Sequence, residues 1–410
     1  MKKSKKQIQH VYMLQLNMKK TIDIQISKTK YPGYSRLPFT VSMIVILFIS
    51  ATISFAQKKA IPAGFPVDCP TVQPVSRPAV NTPPARISSD LLVKNATELV
   101  NQPNKENVLG AIVLLEKAVA IDSTNAEAFY QLSSAHGMSP RYAGVLAKTG
   151  EEKSTFYFLK AFSLNPNSVD GIRGLANRMI ALKNDYACAE KLLVQILETE
   201  PKNAWIRFEY AILLAVQNNF EEAYKNRAAA LANADSLTTL RILNNSSRMR
   251  FMAHDYNWVI KHCDSLITSQ YPKTNWLAHF YKGLALAEQG KYEQALAQQK
   301  LATPSLKGDA GGVANLARAY ILADDILNGK LALREVLHRN ARGEKVVAYQ
   351  IATAYEAMGD FDNTFLWLNK VVDNGDNDIH GWLLWLNHDP RWKRIRNDVR
   401  FKEIKVRAGL

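Results

Sequence analysis

The sequence predicts an all-α chain: a solenoid of helix-turn-helix repeats, preceded by an address segment and a proline-rich linker. Three observations predict it. A phrase of the form helix, two-residue break, helix at Leu284–Leu296 returns at Ile351–Phe361. Small residues recur through the body at steps of 34–36, and self-similarity at such a fixed period marks a repeat array. The first 86 residues lack this period and read as a basic and apolar leader followed by prolines.

Composition agrees with an ordered body. Of 410 residues, 47% are hydrophobic and 22% charged, which excludes a disordered tail and a polytopic membrane protein. The formal charge of +15 suggests nucleic acid until it is divided along the chain. Residues 1–56 hold nine Lys/Arg against Asp23, leaving +7 elsewhere, and the last twenty residues hold eight Lys/Arg against Asp398 and Glu403. A basic stripe confined to an exported chain's two ends is no nucleic-acid footprint, so no nucleic acid is expected as partner. Cys69, Cys188 and Cys263 are odd in number and at no metal-ligand spacing, so no disulfide framework is implied.

Residues 1–57 form the address. From Leu37 to Gln57 there is no charge for twenty-one residues, and Met43–Ile49 is strongly apolar behind a basic flank. Ser54-Phe55-Ala56 sets small residues where a signal peptidase needs them, which favours cleavage after Ala56. The Phe-Ala-Gln ending resembles that of exported Bacteroidetes proteins. The expected location is therefore periplasmic or cell-envelope. If the segment is kept, its twenty-one uncharged residues are long enough to cross a ~30 Å hydrocarbon core and anchor the chain in a membrane.

Residues 58–86 carry Pro62, Pro66, Pro70, Pro74, Pro78, Pro83 and Pro84. Proline at that density forbids helix and favours extended chain, so this linker reads as a semi-rigid spacer. Cys69 lies within it, expected to be capped or paired with another chain.

The repeats occupy residues 88–375. In the first helix of each pair the small residue falls at Ala176, Ala211, Gly283, Ala317 and Ala352; in the second at Ala189, Ala223, Val259, Ala295, Gly329 and Thr364. An aromatic opens the second helix at Tyr186, Phe220, Tyr256, Tyr292 and Phe361, and Pro166 and Pro201 follow it. This pattern resembles the tetratricopeptide repeat. The resemblance implies a right-handed α-solenoid of seven to eight helix pairs, each covering the apolar face of the next. Three stretches depart from it. Residues 137–152 insert about nine residues, expected to project as a loop or short extra helix; Asn244-Asn245-Ser246-Ser247 stands where a small apolar residue is expected; and residues 88–121 hold a poor first helix.

Residues 376–410 change pattern, with Trp382, Trp385, Asp389-Pro390, Trp392, Arg396-Asn397-Asp398 and Arg400-Phe401. They resemble the closing segment that follows the last repeat in many bacterial tetratricopeptide proteins. The expected role is a terminal cap whose aromatics cover the last helix while Arg and Lys face water.

Candidates for chemistry are few. His254, His262, Cys263 and Asp264 crowd eleven residues, but adjacent His262 and Cys263 point to different helix faces, and their spacing suits no metal. There is no phosphate-cradling glycine motif, no nucleophile elbow and no zinc-protease motif, so neither catalytic nor metal residues are assigned and no cofactor is expected. The main expectation is a non-catalytic scaffold that holds a protein or peptide partner in a groove lined by the first helices. The alternative is an enzyme or carbohydrate-handling accessory with its site on the 137–152 insertion or on His254–Asp264. Stepping from the small residues to the groove positions names Arg173 and Asn177, Phe208 and Ile212, Phe280 and Leu284, Arg318, and Tyr349 and Thr353, with Trp205 as a further anchor. Arg173 and Asn177 match two residues of the clamp by which some chaperone-binding relatives hold a terminal carboxylate. Glu209 stands where that clamp needs an amide donor and would repel the ligand, so the clamp is not carried over.

Overall fold

The computed structural model describes residues 65–66, 68–71, 84–101, 104–269, 275–303, 310–344, 346–374 and 381–410. Leu37–Gln57, the Ala56 junction and most of the 58–86 linker lie outside them. The chain divides into two compact units, Met1–Lys58 and Lys59–Leu410, and every described residue belongs to the second. The described residues form seventeen α-helices and no strand, and none of these helices is long and apolar enough to cross a membrane.

Sixteen helices make eight consecutive hairpins. They are α1 (Pro84–Val100) with α2 (Lys105–Ile121), α3 (Ala126–Tyr142) with α4 (Ala147–Leu164), α5 (Val169–Lys183) with α6 (Tyr186–Thr199), and α7 (Ala204–Val216) with α8 (Phe220–Ala232). Then follow α9 (Ser236–Met252) with α10 (Tyr256–Thr268), α11 (Asn275–Glu288) with α12 (Tyr292–Ala302), α13 (Ala310–Leu322) with α14 (Ile326–Ala341), and α15 (Ala348–Met358) with α16 (Phe361–Asn374). The closing segment adds two 3₁₀ turns, Leu383–Trp385 and Pro390–Trp392, and a last helix α17 (Val399–Arg407).

The local chemistry explains this regularity. The last six hairpin turns each place one residue in the left-handed region, at Asn184, Asn218, His254, Gly290, Asp324 and Gly359, with the same 34–36 spacing as the helix crossings. Asparagine, aspartate and glycine tolerate that conformation best, and His254 occupies it as a turn residue. Asp324→Gly is therefore expected to stabilise the chain by about 0.5–1 kcal/mol, read as a higher urea midpoint. The helices that follow begin on side-chain caps: Asn104, Asn125, Ser168, Asp185, Asn203, Asn219, Asp235, Asp255 and Asp325 each accept a hydrogen bond from a first-turn amide.

At the crossings Ala176, Ala211, Ala317 and Ala352 of the first helices and Ala189, Ala223, Val259, Ala295 and Thr364 of the second helices are all buried. Gly283 and Gly329 leave no room for more: an added Cβ would lie 2.6 Å from Gln299 Nε2 and from Ile321 Cγ1, respectively. The doubtful pair around residue 244 keeps this register. Ser247 takes the small position, fully buried, with its hydroxyl 3.6 Å from Cys263 Sγ on α10. The first pair forms too, on buried Val93 and Ala96 and on Ser89, whose hydroxyl donates to the Ala118 carbonyl at 2.9 Å.

The structure corrects three expectations. The 137–152 insertion neither projects as a long loop nor makes an extra helix; it lengthens α3 and α4 to 17 and 18 residues around a short turn. Pro140 stays inside α3 because the Ser139 hydroxyl donates to the His136 carbonyl at 2.9 Å, the acceptor that a proline four residues on leaves unfilled. Gly150 admits the proline ring, since a Cβ there would sit 2.3 Å from Pro140 Cγ. The second correction concerns the linker: Cys69 is bonded to Cys188 at the start of α6, across 119 residues of sequence, and Phe65 is buried in the core. The spacer is thus pinned to the repeats over this stretch, and Cys69 pairs within its own chain. Cys263 keeps a free, buried thiol, which burial pushes up to about 12.

The third correction concerns the end of the chain. The closing segment does more than cover the last helix, for Leu384 and Trp385 join the core of the first six hairpins while Leu383, Leu386 and Trp392 join that of the last two. Its basic residues are only partly solvated. Arg394 pairs with Glu356, Arg400 with Asp362 and Asp398, and Arg407 with Asp373, whereas Lys393 and Lys402 face water.

Candidate partner-binding surface

The groove positions of α11 and α15 are where the closing segment sits. Trp382 lies 6.1 Å from Phe280, 6.4 Å from Tyr281 and 5.8 Å from Tyr349, ring to ring, and the Arg248 guanidinium lies over its indole at 4.7 Å. Trp392 meets Tyr349 edge-on and its Nε1–H donates to the Tyr349 hydroxyl at 2.6 Å. The Tyr349 hydroxyl donates in turn to Asp389 at 2.8 Å. Asp389 and Arg391 form a pair with no exposed side-chain surface, joined at 2.6 Å, and the second arm of Arg391 donates to Gln350 Oε1 at 2.8 Å. Burial alone would raise the Asp389 carboxyl; the Arg391 charge and the hydrogen bonds from Arg391 and Tyr349 outweigh it and hold the group below its ordinary value.

Most of the predicted groove residues are removed from solvent, some by this arrangement and the rest by packing between repeats. Phe280 and Tyr349 are covered by the closing segment, and Leu284 is buried in the core that Leu384 and Trp385 complete. Phe208 and Ile212 are buried in the same core, Thr353 turns its hydroxyl to the Gln350 carbonyl, and Arg318 is buried against Glu288 at 3.0 Å. Only Arg173, Asn177 and Trp205 keep part of their surface. Arg173 is held by Glu209, whose side chain is fully buried, through a double contact of 2.7–3.0 Å. The carboxylate that counted against a clamp in the sequence thus consumes the arginine on which a clamp would depend. The sequence could not show this filling, because the covering residues follow the last repeat and carry no period of their own.

What stays open is a cleft of about 620 Å³ between the starts of α1, α3 and α5. One wall is prebuilt by buried Asn125, whose amide donates to Ser89 Oγ at 2.8 Å and to Asp90 at 2.9 Å while its oxygen caps α3. The other wall is Tyr130, whose hydroxyl donates to the Asn165 carbonyl at 3.1 Å across Gly171; a Cβ at Gly171 would lie 2.3 Å from that hydroxyl. Asp90, Glu127, Asp170 and Glu200 line the cleft against Arg86 and Lys94, and Arg86 is paired with Asp90 and Asp122. Glu127 and Asp170 stand in the first turns of α3 and α5, where carboxylates complement the helix dipole. No sequence signal marked this cleft, since its residues lie at the junctions between repeats.

The histidine and cysteine candidates go to separate partners. His254 Nε2–H donates to the His388 carbonyl at 3.0 Å, His262 Nε2–H donates to the Leu243 carbonyl at 3.0 Å while stacking on Trp258, and Cys263 meets Ser247. Among the described residues no group of three or more His, Cys, Asp or Glu is placed to hold a metal ion. On α3, burial and then the charge of Lys153 hold His136, stacked on Tyr157, at about 4. Because the folded chain keeps His136 neutral, its contribution is complete above the ordinary value of 6.5 and is lost as the pH falls toward 4. His136→Phe is expected to abolish about 2 kcal/mol of the stability difference between pH 7 and pH 4, measured by urea unfolding at each pH.

No protein-family model matches the sequence, and no curated protein is significantly similar to it. Solved structures are similar. Yeast Tom70 aligns over 93% of this chain and 80% of its own, at 13% identity and a TM-score of 0.45. The TPR domain of P58(IPK) aligns over 78% and 97%, at 13% identity and a TM-score of 0.21. The Naa15/Naa10 complex bound to HypK-THB aligns over 78% and 55%, at 13% identity and a TM-score of 0.27.

Proposed function

We propose that the chain is an exported, non-catalytic scaffold that holds a segment of a protein partner in the cleft between α1, α3 and α5. The observation that carries this reading is the filling of the groove from α11 to α15 by the chain's own closing segment, while a cleft of about 620 Å³ stays open among the described residues. An array of stacked helix pairs presents a long surface on a rigid frame, the use to which such arrays are suited. Arg173, Asn177 and Trp205 extend the proposed surface along α5 and α7; the seven buried groove positions leave it. Export is supported by the leader in the sequence and by the Cys69–Cys188 bond, since structural disulfides persist in oxidising compartments.

The test is capture from cell envelope by residues 59–410, the unit that holds every described helix and the disulfide. Lys94→Trp with Asn167→Trp fills the cleft from its rim without touching the core. A partner taken by the natural sequence and lost by the filled variant supports the reading. Capture that survives filling moves the site elsewhere, and no capture by the natural sequence removes the scaffold reading.

A further inference from the structure

The closing segment is held in two different ways along its length. From Trp382 to Trp392 it is buried among aromatics and the Asp389–Arg391 pair. Within that stretch at His388, and beyond it at Arg407 and Ala408, the segment also meets earlier hairpins through neutral hydrogen bonds to main-chain carbonyls. His388 Nε2–H donates to the Val216 carbonyl at 2.8 Å, and His254 Nε2–H donates to the carbonyl of His388 itself. The Asn184 amide donates to the Arg407 carbonyl at 3.1 Å, and the Tyr186 hydroxyl to the Ala408 carbonyl at 2.9 Å. The close seat requires Gly409, where a Cβ would lie 2.8 Å from Asn184 Cβ. Two imidazoles thus join the segment to the fourth and fifth hairpins, and Asn184 and Tyr186 join it to the third; histidine is the side chain whose charge changes between pH 5 and 8.

We propose that these contacts of the closing segment form an acid-released clasp, closed while His388 is neutral and opened when it takes up a proton. The charges around the two rings supply the driving force. Arg396 and Lys405 face His388 from the closing segment and α17, and His254 faces it from the turn before α10. The carboxylates nearby are engaged: Asp389 with Arg391, Asp255 with Arg250 at 3.0 Å, and Glu221 and Glu222 at the start of α8 with Lys225. Phe220 and Trp385 cover the remaining ring faces. Burial first, and then these cations, hold His388 below its ordinary value, so the clasp is complete above about 6.5 and weakens as the pH falls. Protonation of His388 would add a further positive charge at a junction that already holds Arg396 and Lys405.

Hydrogen exchange of residues 59–410, read by mass spectrometry at pH 7.5 and 5.0 and corrected for intrinsic rates, tests the clasp. The expected result is about tenfold lower protection at pH 5.0 in peptides covering 216–222, 251–256 and 385–390, with α5 and α15 unchanged. His388→Gln with His254→Gln keeps an amide donor at each position and should hold the pH 7.5 protection at pH 5.0. His254→Gln alone, at an exposed turn, removes one of the charges that lower His388 and should reduce the loss at pH 5.0. In a His136→Phe background, which removes the acid loss that residue causes throughout the chain, uniform loss over all helices overturns the proposal. So does unchanged protection at the three peptides, or equal loss in the variants.

Discussion

Asp389→Ala is expected to cost about 3–5 kcal/mol of folding stability, because it leaves the guanidinium of Arg391 buried with no counter-charge. Asp389 accepts from Arg391 Nε and Nη2, from the Arg391 backbone amide and from the Tyr349 hydroxyl, and neither side chain of the pair has exposed surface. Losing the carboxylate also deprives Tyr349 of its acceptor, and with it the network that seats Trp392. The comparison that isolates the charge is Asp389→Asn with Arg391→Met, which removes both partners. That double variant is expected to be closer to the natural sequence than Asp389→Ala is, since a neutral buried pair lacks the uncompensated ion. Urea unfolding followed by far-UV circular dichroism gives both values. A cost below about 1 kcal/mol for Asp389→Ala would mean that Arg391 reaches water, and the closing segment would not be the buried anchor described above.

Cys69→Ala is expected to cost about 3–5 kcal/mol through the unfolded chain. The Cys69–Cys188 bond closes a loop spanning 119 residues, which contains α1 to α5, so its loss frees a long stretch of the denatured chain. The same drop should appear when the natural sequence is unfolded with a dithiol present, and the variant should show no further loss. A direct check precedes the energetics. Unfolded in urea without reductant, the protein should titrate one thiol per chain, that of Cys263; three would mean that the bond is absent.

Much of the fold was legible because the repeat writes itself along the chain. Positions such as Ala211, Ala223 and Gly329 are small since two helix axes meet there, and the left-handed turns at Asn218, Asp324 and Gly359 fall at the matching interval. Such contacts are local, so their signature repeats every 34–36 residues and can be counted. Even the irregular fifth pair obeyed it, with Ser247 in place of alanine. The 137–152 stretch misled because its nine or so extra residues break the period, whereas Pro140 and Gly150 pack on each other and let two longer helices form.

By itself, the sequence determined the helices and their pairing, for these follow from side chains within one or two hairpins of each other. Only the tertiary structure decided which face of the array stays open. The ring contacts between Trp382 and Phe280 join residues about one hundred positions apart, the Cys69–Cys188 bond spans 119, and Val216 meets His388 across 172. Pairings at such separations leave no period in the chain, because nothing local fixes which distant surface a tryptophan or a cysteine will cover. The groove residues had the right chemistry for a partner, and the chain's own end supplied one.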